Sequence, residues 1–333
     1  MSEESASLLL LGGAAVASYA AARAAADALL PLDKPAPAKR AAVHAAMTAI
    51  ISLAAILHRP ALLDIAVGVP FAATIATITL ALGVILFVGP LQKPPINLTA
   101  KPIAHRPWAF VLPTGLLLLL IGFTGQLTPR NALVLAAEGG AVLLVCIAPS
   151  GRLAQPSDPA PTARPVPQLA LLQTIVAFAL AIIAAWAMMQ GASALATHNS
   201  IFRPGVAAVL VLGPAIVLPM IPPIATLAER GQRDEAINTI VAFALINLCV
   251  VLPLVIVAQR LIENTTATTQ PFAAGALPFP ILVWRLDTVL LATVGLLLLP
   301  TAIGRWALSR AEGIALIGVY VIYLFLTLLI SHS

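Results

Sequence analysis

Long apolar runs constrain the fold of this chain more than any other feature of its sequence. Stretches of about 20 residues with few or no charges recur along 333 residues, of which only 9% are charged. This charged fraction is far below the roughly 25% of a soluble domain. An apolar run of about 20 residues is long enough, as a helix, to span the hydrocarbon core of a bilayer. Runs such as "GLLLLLIGF" lack the polar–apolar alternation of a transmembrane β-barrel. The sequence therefore predicts an all-α membrane protein.

The apolar runs predict about ten transmembrane helices, and an even number places both chain termini on one side of the membrane. The lysines and arginines divide five to thirteen between the two sides, and the richer side is expected to be cytoplasmic. We therefore expect a protein integral to the cell (inner) membrane with both termini outside, and the acidic start "MSEES" favours a retained first helix. The predicted spans are 7–29, 42–57, 62–90, 108–124, 132–148, 169–196, 205–227, 236–258, 280–302 and 313–330.

A proline-rich stretch at 149–168 predicts an extended cytoplasmic linker between the fifth and sixth helices. It separates two halves of five helices each, residues 1–148 and 169–333. Because five is odd, the halves have opposite orientations in the membrane, which is the arrangement of the inverted repeats of many secondary transporters. Short matches at corresponding places support the repeat, namely Glu138-Gly139 with Glu312-Gly313, and Asp64 with Asp234.

The second half contains a broken apolar hairpin, "VLPMIPPIATLAERGQRDEAINTIVAFALINL", which runs from Val217 to Leu248. Three prolines interrupt its first stretch, and a charged elbow from Glu229 to Glu235 precedes its second stretch. Discontinuous helices of this kind surround the binding sites of many transporters near the bilayer midplane. The prolines also fit simple kinks, which transmembrane helices tolerate.

This hairpin resembles the ion-binding hairpins of the cation/calcium exchanger superfamily. In that family each half carries a helix ending in G-T-S-x-P-E, an elbow with an Asp, and a helix with G-N-x-x-G-S-N-x-x-N, and their side-chain oxygens form the ion site. The stretches "SLAAILHRPALLDIAVG" and "LSRAEGIALIGVYVIYL" extend the resemblance over nearly the whole chain. It implies two inverted five-helix repeats and transport by antiport.

The resemblance, anchored on Asp64 and Asp234, gives each hairpin residue a place in the family motif. Met220 takes the place of the motif glutamate in the second half, and Thr48 takes it in the first half. The motif positions of the following helix are Gly68, Val69, Ala72, Ala73, Thr74 and Thr77 in the first half, and Asn238, Thr239, Ala242, Phe243, Ala244 and Asn247 in the second.

Neither half therefore supplies the family's glutamate. Calcium takes 6–8 oxygen ligands, with carboxylates prominent among them, and an unbalanced divalent charge inside a membrane is very costly. Calcium exchange in the family's manner is not expected. The polar residues left along the ion or substrate pathway fit a monovalent cation, a proton or a small neutral solute, and they are Thr48, Thr74, Thr77, Asn238, Thr239 and Asn247, with Met220 beside them.

The same polar residues have a structural alternative. Asn238, Thr239 and Asn247 also fit hydrogen bonds between helices, because polar side chains hold transmembrane helices together. Thr74 and Thr77 also fit hydrogen bonds to the carbonyls of their own helix.

Two further acids lie near apolar runs. Intramembrane acids are functional by default, and Glu138 therefore joins the candidates as a proton or ion group. Glu138 and Asp287 are both expected to reach the interface or a partner, since Asp287 lies beside Arg285 in the sequence. His44 is expected at the cytoplasmic boundary of the second helix rather than as a ligand.

The sequence carries none of the motifs of an enzyme, a cofactor site or a metal cluster, such as H-E-x-x-H or G-x-S-x-G. Its basic residues are scattered through loops, which is not the pattern of a nucleic-acid-binding surface. The first function predicted is a secondary transporter of antiport type with an altered, carboxylate-poor site. The alternative is a transport-inactive relative that serves as a structural or regulatory membrane partner.

Overall fold

The structure, a computed structural model, describes eight helices and a short pair of strands. The described residues are 13, 37–58, 63–88, 107–147, isolated helical positions from 176 to 194, 204–229, 233–265, 277–280, 283–302 and 308–332. The predicted linker at 149–168 and, apart from Gly13, the predicted first helix lie outside the described residues.

The first half of the chain contributes four described helices, which correspond to the predicted second to fifth. They are α1, Pro37–His58; α2, Leu63–Val88; α3, Pro107–Gly122; and α4, Pro129–Ile147. Strand β1, Gln126–Leu127, lies between α3 and α4.

The second half contributes four further helices, which correspond to the predicted seventh to tenth. They are α5, Pro204–Glu229; α6, Arg233–Thr265; α7, Val283–Ala302; and α8, Arg310–His332. Strand β2, Leu277–Pro278, precedes α7 and pairs antiparallel with β1. Helices α2, α5 and α8 and most of α6 are long and apolar enough to cross a membrane.

Helices α2 and α6 each contain one π-helical segment, Thr77–Ala81 and Asn247–Val251. Each segment begins thirteen residues after the elbow aspartate of its half, Asp64 or Asp234. A π-helical turn is rare and is frequently found at a functional site. The two halves therefore share a backbone irregularity at the position where the resemblance aligns them.

Helix α5 is broken in a different way. It contains a π-helical segment, Ala208–Leu212, and a 3₁₀ turn, Leu218–Met220, before it continues from Ile221. Pro219 has no backbone N–H to donate, and its ring crowds the preceding turn, which accounts for the irregular helix at this point. The predicted proline break in α5 is therefore present.

Helices from the two halves contact one another in pairs. Helix α1 packs against α6, and α5, its counterpart by position, packs against α2. Helix α4 packs against α6, and α8 packs against α2. Helices α3 and α7 pack against each other. Each of these contacts between the halves therefore has a counterpart in which the two halves exchange roles, and the α3–α7 contact is its own counterpart.

Glycines allow three of these crossings. A Cβ atom at Gly139 of α4 would lie 2.5 Å from the carbonyl oxygen of Cys249, and one at Gly313 of α8 would lie 2.9 Å from that of Gly83. Between α3 and α7, a Cβ at Gly115 would lie 3.0 Å from the backbone of Ala292. Backbones approach this closely only where small residues line the crossing, as in many membrane-protein helix pairs.

The core of the molecule is built from α2 and α6. Their most apolar 18-residue windows are 78% and 83% buried inside the protein, whereas that of α8 is only 28% buried. Helix α8 exposes large apolar side chains such as Val321 and Phe325. In a bilayer these side chains face lipid, and α2 and α6 face other helices.

Candidate functional site

The motif positions of the two halves meet where α2 contacts α6. The Thr74 hydroxyl donates a hydrogen bond to the carbonyl of Pro70 in its own helix at 2.7 Å, and it lies 3.2 Å from the carbonyl oxygen of Ala244 in α6. Thr74 and Ala244 occupy the same place in the family motif of their respective halves. The register predicted from Asp64 and Asp234 therefore brings equivalent residues into contact at the centre of the protein.

The other motif hydroxyls bond to their own helices. Thr77 donates to the carbonyl of Ala73, and Thr239 donates to the carbonyl of Glu235 at 2.8 Å. Both threonines are fully buried. The alternative predicted for Thr77 is thus confirmed, because its hydroxyl bonds to the helix four residues earlier. Asn238, the neighbour of Thr239, is half-buried.

Asn247 is a buried polar residue of this region whose side-chain amide makes no hydrogen bond among the described residues. It is fully buried at the first position of the π-helical segment of α6, and neither its amide nitrogen nor its amide oxygen has a hydrogen-bond partner among the described residues. Each unsatisfied buried polar group costs about 1–3 kcal/mol. The interhelical hydrogen bond predicted as an alternative is absent from the described part of the chain, so the amide is available to a ligand.

Helix α1 presents a buried polar stripe. His44, Thr48 and Ser52 are spaced four residues apart, which places them on one face of the helix, and their exposed fractions are 4%, 0% and 0%. The hydroxyls of Thr48 and Ser52 have no hydrogen-bond partner among the described residues. The His44 ring lies against Phe243 of α6, with ring centroids 6.5 Å apart. The stripe therefore extends to the motif helix of the second half.

Two features of this stripe add to the sequence analysis. His44, which was predicted at the cytoplasmic boundary rather than as a ligand, is buried against α6. Ser52 was not predicted as a site residue, although its spacing of four from Thr48 is the signal that could have found it.

Met220 ends the 3₁₀ turn of α5 and is fully buried. The place of the motif glutamate in the second half is therefore filled by a thioether inside the protein. In the first half the same place is filled by the unpartnered Thr48 hydroxyl. Within the described residues, no group of three or more His, Cys, Asp and Glu side chains is arranged to hold a metal ion.

Glu138 lies on α4 where that helix crosses the π-helical segment of α6. The Thr114 hydroxyl of α3 donates to Glu138 Oε1 at 2.7 Å and also lies 2.6 Å from the carbonyl oxygen of Phe110. The Cys249 sulfur lies 3.9 Å from the same hydroxyl. The other carboxyl oxygen of Glu138 is buried without a hydrogen-bond partner among the described residues.

The Thr114 hydroxyl carries one proton and lies between two acceptors. A neutral Glu138 carboxyl satisfies both, because it donates its own proton to the hydroxyl oxygen while the hydroxyl donates to Phe110. The arrangement is therefore suited to a carboxyl group that binds and releases a proton. The prediction that Glu138 finds a partner is confirmed by its contact with Thr114.

Asp287 is buried inside the protein. It is 1% exposed, in the π-helical segment Val283–Thr288 of α7, and it makes no hydrogen bond to the exposed Arg285. Arg285 is therefore not its partner, since the turn that carries both residues directs them to different environments, and Asp287 instead interacts with Tyr323 of α8. The position of Asp287 relative to the membrane interface stays a prediction.

The family comparisons agree with this architecture. Residues 169–329 match the family of sodium/calcium exchanger proteins. The structure of native YfkE superposes on the chain with a TM-score of 0.69 at 16% sequence identity, covering 97% of this chain and 92% of that one. The H+/Ca2+ exchanger CAX gives a TM-score of 0.70 at 13% identity, covering 98% and 86%. The second half of the chain thus matches the sodium/calcium exchanger family, and the whole chain has a fold similar to that of these solved exchangers.

A further solved exchanger has a similar fold. A structure of the sodium-calcium exchanger NCX_Mj superposes with a TM-score of 0.60 at 16% identity, covering 96% of this chain and 97% of that one. No curated protein sequence matches the chain. Since these identities are all low, the structural likeness defines the fold, which is that of a cation transporter, and the chemistry of the site depends on the residues described above.

Proposed function

We propose that this chain is a secondary transporter of antiport type, integral to the cell membrane, with a carboxylate-poor central site. The observation that carries the proposal is the pair of buried, unpartnered polar side chains Thr48 and Asn247. Thr48 lies on α1, which packs against α6, and Asn247 lies on α6, whose Ala244 meets Thr74 of α2. A buried amide and a buried hydroxyl without hydrogen bonds are costly unless a ligand engages them. A protein that only needed a packed core would gain stability from apolar side chains at both positions.

The cargo that suits this site is a monovalent cation or a proton, with a small neutral solute as the remaining possibility. Hydroxyl and amide oxygens carry no net charge, so they cannot offset the desolvation of a divalent ion. Met220 and Thr48 occupy the places of the two motif glutamates. This is the point at which the chain differs from an exchanger whose cargo is calcium.

The architecture that we propose is two inverted five-helix repeats, 1–148 and 169–333. The reciprocal packing of the described helices supports it, as does the pair of π-helical segments at matching positions. The crossing of α3 and α7 supports it independently. A Cβ at Gly115 would contact Ala292, and a Cβ at Gly295 would contact Leu112. Gly295 and Ala292 lie 180 residues after Gly115 and Leu112, so each contact is the other with the two helices exchanged. Such mutual contacts arise where a two-fold axis passes between equivalent elements.

The orientation that we propose follows from charge. Thirteen of the 18 lysines and arginines lie on the side that carries the linker 149–168, so that side is cytoplasmic and both termini are outside.

A second function is favoured by one observation. The replacement of both motif glutamates, by Thr48 and Met220, removes the charges on which ion exchange in the family depends. A relative of this kind that no longer transports would serve as a structural or regulatory membrane partner.

Flux measurements with purified protein in proteoliposomes test the proposal. We expect uptake of a monovalent cation against an imposed proton or sodium gradient, and no uptake of calcium. Asn247→Leu removes the amide at nearly constant volume and is expected to lower flux at least about tenfold, the effect of about 1.4 kcal/mol. Thr293→Ala is the matched control, since this exposed threonine only bonds to Val289 of its own helix.

One result would contradict the transport proposal. If the folded protein moves neither Na⁺, K⁺, H⁺, Ca²⁺ nor any of a panel of small neutral solutes under any gradient, the transport proposal fails and the structural or regulatory function takes its place.

A further inference from the structure

A second buried acidic site lies away from the central hairpins, between α7 and α8. Asp287 of α7 is 1% exposed, and neither of its carboxyl oxygens has a hydrogen-bond partner among the described residues. An ionised carboxylate in apolar surroundings is stable only when it is paired or hydrogen-bonded. This side chain therefore requires a proton or another cation.

Two tyrosines of α8 face the same place. Tyr323 interacts electrostatically with Asp287, and it stacks at an angle against Tyr320, with ring centroids 6.2 Å apart. Both rings are buried, and the hydroxyls of both have no hydrogen-bond partner among the described residues. Buried tyrosine hydroxyls usually find a partner. Three neighbouring side chains thus present unpartnered oxygens in one apolar region.

Within the parts of the helices that the structure describes, no positive side chain compensates Asp287. Among the described residues, α3 carries no charged side chain, α2 carries only Asp64 at its exposed start, and Arg285 of α7 is exposed. On α8, Arg310 lies about 20 Å along the helix from Tyr323, at 1.5 Å per residue. Glu312 accepts hydrogen bonds from Ser309 at the beginning of α8.

We propose that Asp287, Tyr323 and Tyr320 form a proton-binding site between α7 and α8. One proton binds to a carboxyl oxygen of Asp287, and no other bond forms or breaks. When the carboxyl is neutral, it donates to the Tyr323 hydroxyl oxygen. When the carboxyl releases its proton, the Tyr323 hydroxyl turns to donate to it, and Tyr320 supplies the next polar group. The Tyr323 hydroxyl can therefore hydrogen-bond to Asp287 whether the carboxyl is protonated or ionised.

A proton suits this site better than a metal cation does. One oxygen is enough to bind a proton, whereas a metal ion requires a shell of oxygens, six to eight in the case of calcium. The site offers one carboxyl group and two phenol hydroxyls. Acidic side chains enclosed within membrane helices are characteristic of proton pathways.

The site has a chemical counterpart in the first half. Glu138 of α4 contacts the Thr114 hydroxyl of α3, so in each half a carboxyl group and a hydroxyl group meet between the two helices that follow the motif hairpin. The inference deepens the proposed function by naming the proton as the coupling ion, and it rests on that function for transport but not for binding.

Infrared difference spectroscopy of the purified protein, recorded between acid and alkaline buffers, tests binding directly. We expect the carbonyl stretches of protonated carboxylic acids to include one band that vanishes in Asp287→Asn and shifts in frequency in Tyr323→Phe. Glu138→Gln is the matched control and should leave this band in place. If Asp287→Asn does not fold, the shift in Tyr323→Phe decides alone. A spectrum of Asp287→Asn that equals that of the unmodified protein overturns the proposal, as does an unshifted band in Tyr323→Phe.

Thermal unfolding in sodium chloride and in choline chloride separates the proton from a metal cation. We expect any difference in midpoint between the two salts to be the same for the unmodified protein and for Asp287→Asn, because sodium bound at the central site does not involve Asp287. Sodium-dependent stabilisation that Asp287→Asn abolishes would overturn the proposal in favour of a sodium site. Absence of flux with the Asp287 band present would reject the proposed transport function and leave the proton site standing.

Discussion

Gly139 of α4 lies directly against the backbone of Cys249 in the π-helical segment of α6, so closely that a Cβ atom on Gly139 would be 2.5 Å from the Cys249 carbonyl oxygen. The contact partner is backbone on both sides, and neither helix can yield by changing a rotamer. This crossing holds Glu138 beside the segment that begins with Asn247.

Gly139→Ala is therefore expected to lower the free energy of unfolding by about 1–3 kcal/mol, which is typical of overpacking. Gly140→Ala is the matched control, because nothing lies within 4 Å of a Cβ at that position. It should be neutral or stabilise by up to about 1 kcal/mol through helix propensity. Thermal unfolding in detergent measures both, and equal effects of the two variants would contradict the crossing described here.

The double variant Thr48→Glu/Met220→Glu is expected to create calcium affinity, because it restores a carboxylate at both motif positions of an otherwise matching frame. Calcium at about 100 times its Kd would stabilise the variant by about 2.7 kcal/mol through mass action. The corresponding double glutamine variant is the control, since it adds similar volume without charge. Strong stabilisation of the unmodified protein by calcium would show that other carboxylates, Glu138 first among them, reach the site.

Asn247→Leu is expected to stabilise the protein while it impairs transport. The variant removes two buried polar atoms that lack hydrogen bonds among the described residues, each worth about 1–3 kcal/mol when unsatisfied. Asn238→Leu is the comparison, since Asn238 is only half-buried and should change stability little. A marked loss of stability in Asn247→Leu would mean that the amide supports the fold rather than a ligand.

Glu138→Gln is expected to keep the midpoint of thermal unfolding nearly unchanged, because the amide can donate to the Thr114 hydroxyl oxygen as a neutral carboxyl does. Glu138→Ala removes that bond and should cost about 1 kcal/mol, the usual net value of a hydrogen bond. If both variants lose the same stability, the carboxyl is ionised in its bond to Thr114.

Single cysteines at Ser157 and Thr268 test the topology. The first should react with an impermeant reagent only from the cytoplasmic side and the second only from outside, given the distribution of lysines and arginines. Reaction of Ser157→Cys from outside intact cells would reverse the orientation.

The helices and their alignment could be predicted from the sequence for definite reasons. Apolar runs fix the approximate bounds of α2, predicted at 62–90 and observed at Leu63–Val88. The elbow aspartates place Thr74 and Ala244 at equivalent motif positions, and in the structure the Thr74 hydroxyl lies 3.2 Å from the Ala244 carbonyl oxygen. The pattern of apolar residues is sufficient to predict the helix bounds, and the family motif is sufficient to align the two halves.

Burial of single polar groups could not be predicted in the same way. His44 and Asp287 each lie within a few residues of a predicted helix end, where a sequence places them at the interface. Their environment is decided by packing against Phe243 of α6 and Tyr323 of α8, which are distant in the chain. Only the positions of neighbouring helices determine whether such a residue faces lipid headgroups or the protein interior.

The π-helical segments of α2 and α6 have a consequence for the history of the chain. A π turn closes its hydrogen bond over five residues instead of four, so each segment holds one residue more than a regular helix would. If the two halves descend from one duplicated unit, that extra residue is older than the duplication and was retained in both copies. Removing it from a single half would rotate everything that follows in that helix by about 100°, since one residue occupies 1/3.6 of a turn. Neither half can therefore lose its extra residue alone without turning the rest of its helix away from its present contacts.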